Sequence, residues 1–334
     1  MGIGHWSFLK TFPLRFFNNR LYYSHVRIQV DNLRQEFGET IALDDVSFSF
    51  ESGQVHGFIG PNGSGKTTTL RILATLQEPT AGDAFFDDIS CLEYPDLIQP
   101  MIGFVPDVMY LRPGITVEDY LDYFARVALP DDDEREAKLR EVMEFTGVTP
   151  IADKLLPTLS RGMQQRLALG RELMHDPPVL LLDEPAAGLD PRARMDLLEM
   201  LRTLAERGKA IFLSSHILDE LTQICHAVTI LELGKVMEHG PLADIRARQL
   251  PSRTISVRVL EGVEPLHQRL AEMELPDNPR IEGNAVQFDL PGGDAELAKV
   301  SADLQSSGLK LLEFSPINGE LSRIYFKATK GEVQ

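Results

Sequence analysis

Apolar and polar residues alternate from Ile28 onward, most clearly through Val46-Ser47-Phe48-Ser49-Phe50, which predicts strands with one buried face. Residues 55–59 form an apolar strand that runs straight into a glycine-rich turn, the pattern of a strand feeding a helix. Residues 107 to about 176 read as mostly helical. The acidic run Asp131, Asp132, Asp133, Glu134 and Glu136 inside them reads as a solvated helix start rather than a binding site. A buried strand returns at 179–182. A helix from 191 to about 207, a strand at 210–214, a further helix and a strand at 228–233 follow. This order predicts a mixed α/β sheet with helices on both faces.

After Pro251 the elements shorten: a strand at 254–259, a helix at 265–273, strands on either side of Glu282-Gly283-Asn284, a helix at 294–306, a strand at 309–314 and a last segment at 321–326. The order βαββαβ is that of a small ferredoxin-like α+β domain. The expected organisation is an N-terminal extension at 1–27, a large α/β domain at 28–247 with a helical subdomain at about 107–176, and an accessory domain at 251–334. The extension sets Phe8, Leu9, Phe12, Leu14, Phe16 and Phe17 among Lys10, Arg15, Arg20 and Arg27, with no acidic residue. Lys10, Pro13 and Arg15 break any apolar stretch, which excludes a secretory signal. A weak membrane-surface anchor, an extension without fixed structure and a misplaced start codon stay open.

Composition narrows the class. No apolar run approaches the roughly 18 residues of a membrane span, so if a membrane is involved another chain crosses it. A formal net charge of -17 opposes a sequence-independent grip on nucleic acid, which depends on Lys and Arg neutralising phosphates. Cys91 and Cys225 lie far apart without metal-ligand spacing and read as ordinary buried thiols.

The chemistry begins at Gly60-Pro61-Asn62-Gly63-Ser64-Gly65-Lys66-Thr67-Thr68, which fits the P-loop pattern GxxxxGK[ST] between a strand and a helix. Glycines let successive N–H groups converge on phosphate oxygens and the helix N-terminus favours an anion. Lys66 reaches the β- and γ-phosphates, and Thr67 offers a hydroxyl to Mg²⁺. The strand at 179–182 ends in Asp183-Glu184, two carboxylates where ligands of open α/β sheets lie. Asp183 suits Mg²⁺, and Glu184 suits a general base that polarises the attacking water.

Leu159-Ser160-Arg161-Gly162-Met163-Gln164, shortly before that strand, resembles the LSGGQ signature of ATP-binding cassette (ABC) ATPases, with Arg161 in place of the first glycine. The resemblance covers about 28–247 and implies a RecA-like core with a helical subdomain. It implies that Ser160 and Gly162 meet phosphate on a second copy and that Asp190 of Ala187-Gly188-Leu189-Asp190 belongs to the D-loop coupling the two sites. His216 becomes the switch histidine at the γ-phosphate. Phe37 takes the adenine-stacking position, although an aromatic there also suits core packing. Where the family commonly has a glutamine that meets Mg²⁺ and water, this chain has Asp107, whose charge binds metal more strongly but repels the γ-phosphate.

The resemblance further implies ATP and Mg²⁺ as cofactors, a second ATPase subunit, integral membrane permease subunits and a place on the cytoplasmic face of the membrane. The chain resembles the separate nucleotide-binding subunits of bacterial ABC-2 type exporters, including drug-resistance, sodium-efflux and gliding-type systems, whose permease would dock on the helical stretch at about 110–147. An ABC ATPase of DNA repair or translation is the competing reading. A coiled-coil insertion, zinc-binding cysteines or a duplicated cassette would mark it, and none is visible.

Overall fold

The structure, a computed structural model, describes residues 15–17, 20–22, 25–216, 221, 223–249, 252–273, 279–291, 294–316, 324, 325, 328 and 329. Contacts divide the chain into a larger unit ending at Pro241 and a smaller one beginning at Leu242. In the N-terminal extension, β1 (Arg15–Phe17) pairs antiparallel with β2 (Arg20–Tyr22); residues 1–14 lie outside the described ones.

The larger unit holds two sheets. β3 (Arg27–Phe37) and β4 (Thr40–Glu51) form a long antiparallel hairpin, flanked by β6 (Ala81–Phe86) and β7 (Ile89–Ser90), in the order β4-β3-β6-β7. Its alternating positions, Ile28, Val30, Val46, Phe48 and Phe50, are buried as the period-two pattern requires. The second sheet has the order β12-β11-β5-β10-β9-β8. Here β5 (Val55–Ile59), β8 (Ile102–Val105), β9 (Val179–Leu182), β10 (Ala210–Ser215) and β11 (Ala227–Glu232) run parallel, and β12 (Lys235–Pro241) returns antiparallel on the edge. Strands covered on both faces need continuous apolar sequence, and β5, β9, β10 and β11 are buried at every residue.

Aromatic packing joins the sheets. The Phe48 ring stacks on Phe212 with centroids 5.4 Å apart and lies 5.3 Å from Phe58, tying β4 to β10 and β5. His56 is fully buried in this stack, its Nε2 2.8 Å from Thr229 Oγ1, which also bonds His239 Nδ1 at 2.9 Å. Burial, reinforced by His239, pushes the His56 imidazole down to about 3. In the unfolded chain it titrates near 6.5. Between these values the unfolded state binds the proton and the native state does not, so stability falls as pH drops below 6.5 and the loss is complete near pH 3. At pH 5.5 the cost is about 1.4 kcal/mol. Urea unfolding at pH 7.5 and 5.5 should therefore show a smaller drop in His56→Phe than in wild type; equal drops would assign the acid sensitivity elsewhere.

Helices carry the remaining parts. α1 (Lys66–Leu73) follows β5, and α2 (Pro95–Ile98) precedes β8. α3 (Val117–Ala128), α4 (Asp132–Phe145) and α5 (Arg161–Leu173) fill the stretch expected to be helical. The acidic run is a helix start: Asp131 caps α4 by accepting from the Glu134 N–H at 3.0 Å. α6 (Pro191–Glu206) covers β10, and the helix expected after β10 falls largely on residues outside the described ones. Both cysteines are buried and unpaired, and burial pushes the Cys91 thiol up to about 12. Among the described residues no helix is long and apolar enough to cross a membrane.

The smaller unit opens with a helix, Leu242–Gln249, and then builds an antiparallel sheet from β13 (Ser252–Val259), β14 (Arg280–Glu282), β15 (Ala285–Pro291) and β16 (Leu311–Pro316). The order β14-β15-β13-β16, with helices Val263–Ala271 and Asp294–Ser306 packed on it, is the split βαβ arrangement of a ferredoxin-like domain. Ile255, Val257, Leu266, Leu270, Val286, Phe288 and Leu304 fill its core. The expected last segment at 321–326 lies mostly outside the described residues.

Candidate active site

Register brings the chemistry to one edge. Ser215 pairs with Ile59, Leu213 with Leu182, and Val105 also with Leu182. The residues just beyond these strands, Gly60, Asp183, His216 and Asp107, therefore leave the sheet together at its carboxyl edge, where open α/β sheets bind ligands.

The loop from Gly60 to Gly65 is fixed by close backbone approach. A Cβ on Gly60 would stand 2.4 Å from the Leu231 carbonyl oxygen. Gly65 has φ +104 and forms the N-cap of α1, while Gly63 has φ +82 and faces open space. Asn62 is exposed and Ser64 buried. The Ser64 N–H closes the turn on Pro61 O at 3.2 Å. Lys66 Nζ, 6% exposed, donates to Gly60 O at 2.8 Å and Pro61 O at 3.1 Å and lies 3.4 Å from Glu184 Oε1. Burial pulls its ammonium below the ordinary lysine value, and the Glu184 and Asp183 carboxylates oppose that shift.

The carboxylates are held from three sides. Thr67 Oγ1 donates to Asp183 Oδ2 at 2.8 Å, and Ser214 Oγ donates to Asp183 Oδ1 at 2.7 Å. Ser214 Oγ also accepts the Glu184 N–H at 2.8 Å. Glu184 has φ +47, an unusual backbone for a residue with a Cβ, and its Oε2 is 2.8 Å from His216 Nδ1. Glu184 thus stands between Lys66 and His216. Ser214, on the neighbouring strand, had no role in the sequence reading; a small hydroxyl at the carboxyl end of a buried strand was its only signal. Thr68 lies on the first turn of α1, and the Thr69 hydroxyl donates to Gly65 O at 3.0 Å.

The remaining predicted residues form a second group. Ser160 caps α5, accepting from the Met163 N–H at 3.4 Å, and Gln164 Nε2 donates to Leu159 O at 2.9 Å. A Cβ on Gly162 would meet the Ala193 methyl at 3.0 Å. Arg161 Nη2 donates to Asp107 Oδ1 at 2.6 Å, so Asp107 is placed with the signature helix rather than with Thr67 and Asp183. Asp190 caps α6, its Oδ1 accepting from the Arg192 and Ala193 N–H groups at 3.1 and 3.0 Å. Phe37, the last residue of β3, is 52% exposed and its ring is free of the core. Among the described residues no side-chain hydrogen bond or ion pair joins Ser160–Gln164 to Lys66, Asp183 or Glu184.

Cation, hydroxyl and carboxylates converge at the end of a loop shaped for a polyphosphate, the construction of P-loop nucleoside triphosphatases. The profile of the ABC transporter family matches residues 43–187. A Nod factor export ATP-binding protein I of Paraburkholderia xenovorans is 33% identical over 78% of this chain and 84% of its own length. The protein of the same description from Rhizobium meliloti is 31% identical over 92% of this chain and 90% of its own. Among solved structures, a dimeric ATP-binding cassette in a post-hydrolysis state, bound to ADP and Pi, is 27% identical and superposes with a TM-score of 0.59 over 64% of this chain and 98% of its own. The chain belongs to the ABC transporter family, as an ATP-binding subunit with ATPase activity.

Proposed function

We propose that two copies of this chain close head to tail around two ATP molecules on the cytoplasmic face of a membrane and drive export through an integral membrane permease. The observation that carries this reading is the division of the site. Lys66, Thr67, Asp183, Glu184 and His216 form one hydrogen-bonded group, and the signature residues at the start of α5 form another with no side-chain bond to it. A second copy supplies what each group lacks: Ser160 and the N–H groups beginning α5 would face the phosphates lying on the partner's loop. The dimeric cassette bound to ADP and Pi and the relatives described as export proteins support the same reading.

Lys66 holds the β- and γ-phosphates, Glu184 takes a proton from the attacking water, and His216 positions Glu184 while facing the γ-phosphate. Phe37 offers an exposed ring to adenine, and Asp190, fixed by its cap on α6, places the D-loop turn. Thr67 Oγ1 and Asp183 Oδ2, 2.8 Å apart, are hard oxygen donors of the kind Mg²⁺ prefers and would hold it beside the phosphates. Bound there, Mg²⁺ would neutralise charge that develops on the transferred group. Val108 and Tyr110 ahead of α3, and Tyr123 and Val127 on it, are 75%, 81%, 62% and 70% exposed, apolar side chains open to a permease loop. Substrate choice then lies with the permease.

The test is recovery of the tagged chain from its native membrane in mild detergent with its Mg²⁺-dependent ATPase assayed. Co-purification with a polytopic membrane protein is the expected result. Recovery with ribosomes or DNA instead would overturn the transport role.

A further inference from the structure

We infer that Arg161 is a positioning residue for ATP hydrolysis, which neutralises the Asp107 carboxylate and turns it away from the γ-phosphate; this rests on the ATPase reading above. Arg161 and Asp107 are two of the positions at which the site departs from the common family form, one replacing a glycine and the other a glutamine; Met163, in place of the signature glutamine, is a third. Arg161 and Asp107 lie 54 residues apart in sequence, and the structure places them in one ion pair, Arg161 Nη2 to Asp107 Oδ1 at 2.6 Å.

The pair is built into its surroundings. One helical turn beyond Arg161, Gln165 Nε2 donates to the Asp107 carbonyl oxygen at 3.4 Å, so α5 grips Asp107 through side chain and backbone. The Arg161 side chain also runs over the D-loop turn: a Cβ on Gly188, whose φ is +69, would come within 3.3 Å of Arg161 Cδ and Nε. One guanidinium thus spans the signature helix, the loop after β8 and the turn before α6.

Charge explains why the bridge matters. The Asp183 N–H is bonded to Val105 O at 2.8 Å, so the chain leaving β8 carries Asp107 past the Asp183-Glu184 pair. A bare carboxylate at the carboxyl edge that already carries Asp183 and Glu184 would add negative charge there and repel a triphosphate. A glutamine needs no such neutralisation, and an aspartate does. Both partners are about two-fifths exposed, so the bridge contributes little to folding stability, and its value lies in the field at the nucleotide. One substitution compensates for the other.

A double-mutant cycle tests this on the full-length chain with kcat, KM for ATP and the Mg²⁺ concentration for half-maximal rate as readouts. Arg161→Gly should lower kcat/KM for ATP about tenfold, mainly through KM, and shift the Mg²⁺ requirement as the freed carboxylate competes for the ion. Adding Asp107→Gln should restore most of that loss, and Arg161→Lys, which keeps the charge, should lose less than Arg161→Gly. Melting temperatures of all variants establish that each is folded.

If the effects of Arg161→Gly and Asp107→Gln multiply and the double variant is no better than Arg161→Gly, Arg161 acts independently of Asp107 and the inference fails while the ATPase reading stands. A wild-type chain that does not hydrolyse ATP would overturn both.

Discussion

Glu184→Gln should lower ATP turnover by about 10²- to 10⁴-fold, the range expected when a general base is lost, while ATP still binds and holds two chains together. The amide keeps the size of the carboxylate, and the Glu184 N–H stays on Ser214 Oγ, because that bond belongs to the backbone. The strained φ of +47 that aims the side chain is likewise unaffected. What disappears is the proton acceptor that sits 2.8 Å from His216 Nδ1 and 3.4 Å from Lys66 Nζ. Removing one negative charge beside the phosphates also strengthens ATP binding, since Lys66 no longer divides its attraction between Glu184 and the nucleotide. Slow turnover and tight binding together predict a dimer that persists in ATP and Mg²⁺ and falls apart on dilution into ADP. Phosphate release and size-exclusion chromatography with each nucleotide check both halves. Turnover within about threefold of wild type would mean that another group accepts the proton.

Much of this site was legible because it is local in sequence. A buried strand, a glycine loop and a lysine-threonine pair follow one another in residues 55–68, and the Asp183-Glu184 pair ends an apolar strand, so no tertiary knowledge was needed to connect them. The ferredoxin-like unit was legible for a similar reason: Ile255, Val257 and Val259 alternate cleanly and all fill its core. What could not be read depends on register between distant strands. Ser214 meets Asp183 because β10 and β9 pair Leu213 with Leu182, and sequence does not state that alignment. β6 was missed because Ala81-Gly82-Asp83-Ala84 carries little hydrophobic pattern. Its identity comes from pairing, with Phe86 opposite Ile28 and Ala84 opposite Val30. Asp107 and Arg161 each read as an isolated departure from the family form, and only the packing of α5 turns them into one feature.

Gly65→Ala should reduce ATP affinity about 100-fold or more and far exceed the effect of Gly63→Ala, two residues away in the same loop. Both glycines have positive φ, +104 and +82, so both alanines carry backbone strain of about 1–2 kcal/mol. Beyond strain the positions differ. At Gly63 an added Cβ meets nothing within 4 Å, and the loop can keep its path at the cost of strain alone. That limits the loss to about tenfold. At Gly65 the Cβ would lie 2.5 Å from Leu43 Cδ2 and 2.7 Å from the Ala42 carbonyl oxygen. Leu43 is fully buried, and the neighbouring Asp44 N–H is bonded to Gly234 O at 2.8 Å, so this wall is fixed. The loop must move instead. Because Gly65 is the N-cap of α1, the shift carries Lys66 and Thr67 with it, and the converging N–H groups lose their common focus. Equilibrium binding of a fluorescent ATP analogue to the two variants, with far-UV circular dichroism to verify folding, measures the contrast. Equal losses at both positions would mean that backbone strain, and not the wall at Ala42 and Leu43, sets the shape of the loop.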